Sequence, residues 1–420
     1  MLQHYIIEPA ASPFASNVVL AKKSDGSLRF CIDYRQLNEL TYKDSYPIPR
    51  ISFCLDSLGG ANFFSCLDLR SGFWQTAMDP QDADKTAFVT RRGQFKFKVL
   101  AYGLVNAPSL FQRIMDLVLA GLSWECCLVY IDDVIVFSKG DFHDHIAKLT
   151  LVFDRLRDAG LKLKPSKCRL FQRRVAFLGC VVSQQGIEPQ PEKVSAVVEW
   201  PVPTSAGDVR SFVGLCSYYR SFIKDLSIIA APLFDLTRKG VTFKWDDTCQ
   251  RAFDLLKQRL TTAPVLAPPR DGGGYVLDVD ACDYGIGAVL QQWQDDQLRV
   301  IGYASRTLNP AERVYCTTRK EQLVIVYGLK QFRPYILGHK TVIRSDHAAL
   351  SYLKKTKEPV GQQARWLDLI EQFDLEIQYR RGAWHANADS MSRRPCESPG
   401  PPAVSAAVAV RLQAPKTRRY

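Results

Sequence analysis

A chain of 420 residues is too long for one ordinary hydrophobic core, so two or three domains are expected. Its hydrophobic share of 46% and charged share of 23% exclude a disordered or fibrous chain. Lys and Arg outnumber Asp and Glu 55 to 43, a net charge of +12 that favours a polyanionic partner, nucleic acid before an acidic membrane. Met1 to Ala10 carries His4, Glu8 and Pro9 and lacks the apolar core of a signal peptide, and no apolar run is long enough to span a bilayer. The cysteines form no Cys-x-x-Cys pair and sit among apolar neighbours, so buried thiols are expected rather than disulfides or a zinc site.

In chain order, Ser16–Ala21 and Leu28–Ile32 read as strands joined by a turn at Ser24-Asp25-Gly26-Ser27. The apolar run Phe63 to Leu67 reads as a strand that ends at Asp68, just before a turn. Leu128 to Phe137 reads as a hairpin with Asp132 and Asp133 at its tip. Phe142–Ala159 has helical spacing and stops at Gly160. There, His143-Asp144-His145 is expected to cap the helix and stay exposed rather than bind metal. From about Gln184 to Pro264 strand signals are few, and helices are predicted over Pro191–Glu199, Ser205–Phe222 and Thr248–Leu260. A Pro- and Gly-rich linker at 268–274 precedes a strand, strand, strand, helix, strand, helix, strand, helix pattern that runs to about Arg394. Gly285-Ile286-Gly287 lies within its strands and is not a nucleotide-binding loop. Pro395 to Tyr420 has the composition of a disordered tail.

An isolated Asp-Asp is usually a plain turn. Placed beside the strand that ends in Asp68, the pair becomes a cluster of three carboxylates, which repel one another unless cations sit among them. Such a cluster implies a pair of divalent ions, Mg²⁺ being suited to carboxylate and phosphate oxygens, and nucleotidyl transfer as the chemistry. A second acid set lies downstream. Asp278 and Asp280 share one strand face, and periodicity does not choose between them; Glu321, Asp346 and Asp389 follow on a helix, a strand end and a C-terminal helix.

Leu28 to Asn38, Leu67-Asp68-Leu69, Gly103 to Gln112, Tyr130-Ile131-Asp132-Asp133, Phe177-Leu178-Gly179 and Leu215 to Ile223 occur in that order. Together they resemble the reverse transcriptase of gypsy-type LTR retrotransposons, over nearly everything from Ile7 to Arg394. The downstream acids resemble the ribonuclease H of the same elements. The resemblance implies a multidomain α/β and α+β protein, a right-hand polymerase followed by a ribonuclease H-like α/β domain. Fingers and palm would occupy 1–183, a mostly helical thumb or connection 184–265, the nuclease domain 266–394, and the tail 395–420.

By the same resemblance, Asp68 and Asp132 are metal ligands with Asp133 in support, and Asp280, Glu321, Asp346 and Asp389 form the nuclease set, each site holding two Mg²⁺ with Mn²⁺ as a substitute. Lys23, with Lys22 as its rival, and Arg29 fall where the family grips the triphosphate. Phe73 falls where a bulky residue excludes a 2′-hydroxyl, and Gly103, Asn106 and Pro108 where template and nucleotide are supported. Read without the family, Phe73 is a core aromatic and Gly103 part of a loop. Lys162, Lys164, Lys167, Arg169, Arg173 and Arg174 suit phosphate contact or a solvated face equally. The implied partners are an RNA template, a DNA primer, RNA–DNA hybrid and dNTPs, with no membrane. The implied location is intracellular, in cytoplasmic retrotransposon particles or in the nucleus. The alternative is an inactive or domesticated nucleic-acid-binding remnant.

Three departures accompany the match. The chain begins later than the family's usual fingers and has no protease or integrase zinc motif, as expected of a central piece of a polyprotein. Ala101 stands where Pro is usual, which is expected to loosen the nucleotide pocket. Cys282 stands where Ser is common.

Overall fold

The computed structural model describes residues 1–22, 26, 28–345 and 361–379. Lys23, Asp346, Asp389, the predicted turn at 24–27 apart from Gly26, and the tail from 395 lie outside the described residues, as does the side chain of Arg29.

A four-stranded antiparallel sheet forms the first centre of the molecule. Its strand order is Cys127–Tyr130, Asp133–Ser138, Phe63–Asp68, Arg169–Gln172. The strands alternate faces, and both faces are apolar because both are covered. Leu67, Val129, Val134 and Val136 join Phe111 and Met115 of the helix Ala107–Val118 and Leu149 and Val152 of the helix Phe142–Asp158. Phe64, Leu128, Ile135 and Phe137 face the other way, into a core that continues through Phe212 and Phe253 of the later helices. The helix Phe142–Asp158 begins where Asp141 accepts a hydrogen bond from the Asp144 N–H, and it ends before Gly160 at φ +71°.

Ahead of this sheet, Val18–Lys22 pairs with Leu28–Ile32, and Ile7–Pro9 and Phe88–Thr90 flank Gly93–Phe97. This is the fingers-like part. After it, Arg174–Phe177, Cys180–Ser183 and Gly186–Pro189 form a three-stranded sheet that runs straight through the boundary placed at 183. The helical unit follows with Pro191–Val198, Ala206–Tyr218, Leu226–Ile229, Ala231–Leu236 and Asp247–Thr261. The predicted helix 205–222 is shorter than expected: Ser205 is its cap, in a capping box with Asp208, and regular helix ends at Tyr218.

The second centre is a five-stranded mixed sheet, ordered Gln297–Thr307, Gly285–Gln294, Tyr275–Ala281, Thr341–Ser345, Leu375–Tyr379. The first two pairings are antiparallel and the last two parallel. The helix Thr317–Gln331 lies across it, close enough that Gly328 admits Leu277. A right-hand polymerase layout followed by a ribonuclease H-like α/β domain is therefore what the chain adopts. Among the described residues, no helix is long and apolar enough to cross a membrane.

Candidate active sites

The Asp132-Asp133 hairpin is as tight as a hairpin can be. Tyr130 pairs directly with Asp133, leaving Ile131 and Asp132 as the two turn residues. Ile131 is left-handed at φ +59°, a conformation that costs a β-branched side chain of the order of 1–2 kcal/mol. Gln112, fully buried on the helix Ala107–Val118, holds it there. Its Oε1 accepts from the Ile131 N–H at 2.7 Å, while its Nε2 donates to Asp116 at 3.0 Å and to the Val129 carbonyl at 3.3 Å.

Asp133 lies directly opposite Asp68, so both carboxylates stand on one sheet face. Asp132 is pressed in from beside them: a Cβ on Gly72 would fall 3.2 Å from the Asp132 Cβ and 3.1 Å from Phe111. Partial desolvation, with the like charges of Asp132 and Asp68, raises the Asp133 carboxyl above its ordinary range, against Lys167. Lys167 takes a cation's place here, its Nζ 3.0 Å from Asp68 Oδ2. Among the described residues, no three acidic, His or Cys side chains are already arranged as a metal cage. Crowded carboxylates with an ammonium among them are nonetheless the donor set a hard divalent cation fits.

Phe73 is buried and packs on Tyr102, 4.9 Å between ring centres, and on Phe111 at 5.3 Å. Gly103 has φ +97°, and its carbonyl accepts from Asn38 Nδ2 at 2.8 Å, while Asn106 takes the Asp44 N–H at 3.0 Å and donates to the Tyr42 carbonyl. Ala101 is fully buried. Lys22 stands exposed at the end of its strand.

The basic run is less free than its sequence suggests. Arg173 stacks 3.7 Å over the Phe63 ring and donates to the Asn62 carbonyl, Arg174 pairs with Glu188, and Lys167 pairs with Asp68. The expected exposure of the His143-Asp144-His145 cluster fails at His145. It is fully buried, with Nε2 2.8 Å from Ser65 Oγ and Nδ1 2.9 Å from Ser138 Oγ. The reason is register: its helix turns that side chain onto the sheet, and capping falls to Asp141.

In the second sheet Asp278, Asp280 and Glu321 are all buried. Asp278 accepts from Gln291 Nε2 at 2.5 Å and faces Arg344 at 4.0 Å. Asp280 lies opposite Gly287 on the neighbouring strand. Glu321 accepts from Ser345 Oγ at 3.2 Å, at the end of the parallel strand. Beside it, Lys320 binds Asp283 at 2.7 Å. Sequence reasoning overlooked Gln112, Gln291 and Lys224. Burial pushes the Lys224 ammonium down, with Arg259 adding to that, while the charges of Asp225, Asp280 and Asp278 pull it up. A Gln on an otherwise apolar face was the available signal for Gln112.

A palm sheet carrying an acid hairpin, joined through helices to a mixed sheet with buried central acids, defines the polymerase-plus-nuclease class. Residues 21–182 match the reverse transcriptase (RNA-dependent DNA polymerase) family, and residues 245–343 match the RNase H-like domain found in reverse transcriptase. The chain is 39% identical over 402 residues to the retrovirus-related Pol polyprotein from transposon 297 of Drosophila melanogaster, covering 94% of this chain and 37% of that protein. It is 36% identical over 413 residues to the Pol polyprotein from transposon gypsy of the same fly, covering 94% of this chain and 39% of that protein. The chain thus spans about two fifths of the length of these relatives. The foamy viral protease-reverse transcriptase in complex with RNA/DNA hybrid shares the fold, with a TM-score of 0.75 at 22% identity over 100% of this chain and 55% of that one. Residues 21–182 are thus a reverse transcriptase domain and residues 245–343 an RNase H-like domain, as in retrotransposon Pol polyproteins.

Proposed function

We propose that this chain is an RNA-directed DNA polymerase that extends a DNA primer with dNTPs, coupled to ribonuclease H cleavage of RNA in RNA–DNA hybrids. The observation that carries the reading is the cross-strand pairing of Asp68 with Asp133 beside Asp132, on a hairpin that Gln112 holds in a strained turn. Rigid placement of charge is what phosphoryl transfer requires of a protein. Asp68 and Asp132 would hold Mg²⁺, which supplies a cation for the attacking hydroxyl and for the triphosphate. Asp133 would add charge beside them, and Lys167, which pairs with Asp68, would give up that pairing to a bound cation. Phe73 walls the nucleotide site and Gly103 lets the chain turn beside it. Lys23 and Arg29 serve the triphosphate.

In the nuclease domain, Gln291 engages Asp278 within the sheet, which leaves Asp280 as the strand acid, with Glu321 oriented by Ser345. Asp280, Glu321, Asp346 and Asp389 would hold the second set of Mg²⁺. The foamy viral complex with RNA/DNA hybrid supports the same substrate class here.

Primer extension on an RNA template with Mg²⁺ and dNTPs tests the first activity. Asp132→Asn is expected to lose extension by at least ~100-fold, as removal of a charge aimed at the transition state does. Folded wild-type protein that binds hybrid and extends nothing would instead mark a binding remnant. Asp280→Asn is expected to stop RNA cleavage and leave extension intact; persistent cleavage sinks the nuclease assignment.

A further inference from the structure

Among the described residues, the contacts of the nuclease domain with the rest of the molecule include two sets that share no residues. One is along its outermost strand. The Tyr303 N–H donates to the Ser221 carbonyl at 3.0 Å, the Ser227 N–H donates to Ser305 Oγ at 3.0 Å, and Ser227 Oγ donates to the Ser305 carbonyl at 2.8 Å. Ile228 fits over Gly285, where a Cβ would fall 2.6 Å from its Cγ1. This contact ties the nuclease domain to the helical unit.

The other place ties it to the polymerase half directly. Tyr335 Oη donates to Asp56 Oδ2 at 2.7 Å, between residues 279 apart in sequence. Asp56 lies on the helix Ile51–Ser57, which packs under the palm core through Cys54 and Leu55. Tyr335 lies on the short helix Arg333–Ile336, immediately after the helix that carries Glu321. The approach is close around the bond: a Cβ on Gly59 would fall 2.5 Å from the Pro268 Cβ. Burial pushes the Asp56 carboxyl up to about 6, while the phenol's hydrogen bond holds it down.

Apolar contact alone tolerates sliding, whereas a recessed carboxylate and phenol have one separation at which both are satisfied. With the contact at Ser227 and Ser305 as a second anchor, a hydrogen bond at Asp56 restricts the freedom of the nuclease domain to swing. We propose that Tyr335 and Asp56 form a pin that fixes the nuclease domain on the palm, and thereby sets the distance from the primer terminus at which the RNA strand is cut. The inference rests on the polymerase and nuclease reading above. Both are positioning residues; neither is placed at either set of acids.

The test uses the full chain, a labelled RNA annealed to a DNA primer, and Tyr335→Phe beside Asp56→Asn. Wild type is expected to cut at one dominant distance from the primer end. Tyr335→Phe should at least halve the share of cuts at that position and spread them to its neighbours, with primer extension within twofold of wild type. Asp56→Asn, which keeps an acceptor for the phenol, should keep the wild-type pattern. An unchanged pattern in Tyr335→Phe overturns the pin. Should wild type cut no hybrid, the functional reading fails, and calorimetry judges the pin alone. Tyr335→Phe should then split a shared unfolding transition or lower it, and one unshifted transition overturns the proposal.

Discussion

Ile131 shows how much of the polymerase site is a matter of single residues. Its left-handed backbone is set by one amide-to-Gln112 hydrogen bond, and that bond decides where Asp132 points. Gly72 decides the same thing by having no side chain. Gly72→Ala should therefore push Asp132 out of line and lower primer extension by ~10–100-fold, since misplacement by an ångström costs that much. RNA cleavage by the same variant should remain within twofold, and circular dichroism should show the wild-type fold; equal loss of both activities would mean general misfolding. That Asp68 meets the Asp132-Asp133 hairpin was legible in the sequence, because an apolar strand ending in an acid and a hairpin with acids at its tip are both local patterns. Period-two spacing does not choose between Asp278 and Asp280, and Asp280 is selected only by the family resemblance; on the neighbouring strand Gln291 bonds Asp278 and Gly287 lies opposite Asp280.

At the scale of elements, the strands and helices follow their periodicity closely, but what faces inward at their ends does not. The helix Phe142–Asp158 appeared with its predicted stop at Gly160, yet His145, expected exposed, is a buried bridge between the strands that carry Ser65 and Ser138. Ser65 Oγ also takes the Phe171 N–H at 3.1 Å, so one imidazole joins the helix and three strands. His145→Ala leaves two buried hydroxyls short of a partner and should cost about 2–4 kcal/mol in urea unfolding. Burial also holds the imidazole below its ordinary value of 6.5, so the unfolded chain takes up its proton first. Its contribution is complete above 6.5 and is lost as pH falls through the depressed folded value. Unfolding at pH 7.5 and pH 5.5 should show wild type losing stability over that window and His145→Gln losing less. The sheet crossing residue 183 was hidden for a related reason: Gly186–Pro189 is too short and too Gly- and Pro-flanked to read as a strand without the partner it pairs with.

At the scale of the whole molecule, the contact between Asp56 and Tyr335 has its own pH signature. Asp56 titrates near 6 in the folded protein against an ordinary 3.8, so folding binds a proton between those values. The benefit is present below 3.8 and is lost as pH rises through about 6, a cost of roughly 3 kcal/mol at neutral pH. Tyr335 faces that carboxylate from the nuclease domain, as do Tyr275 and, from its own helix, Cys54. Tyr335→Phe should therefore destabilise more at pH 8, where it strips a charged acceptor, than at pH 5; a loss independent of pH would contradict a buried carboxylate. Asp56→Asn should raise the melting temperature at pH 8 and change it little at pH 4. By itself the sequence determined the strands and helices around the acid hairpin, through local periodicity, and the right-hand and ribonuclease H-like fold class, through ordered motifs that resemble a known family. Only the tertiary structure decided which residues hold those acids in place and how the two halves are joined. Gln112, Ser345 and the pair of Asp56 with Tyr335 act across distances in sequence that no local pattern records, and their partners become visible only once the chain has folded.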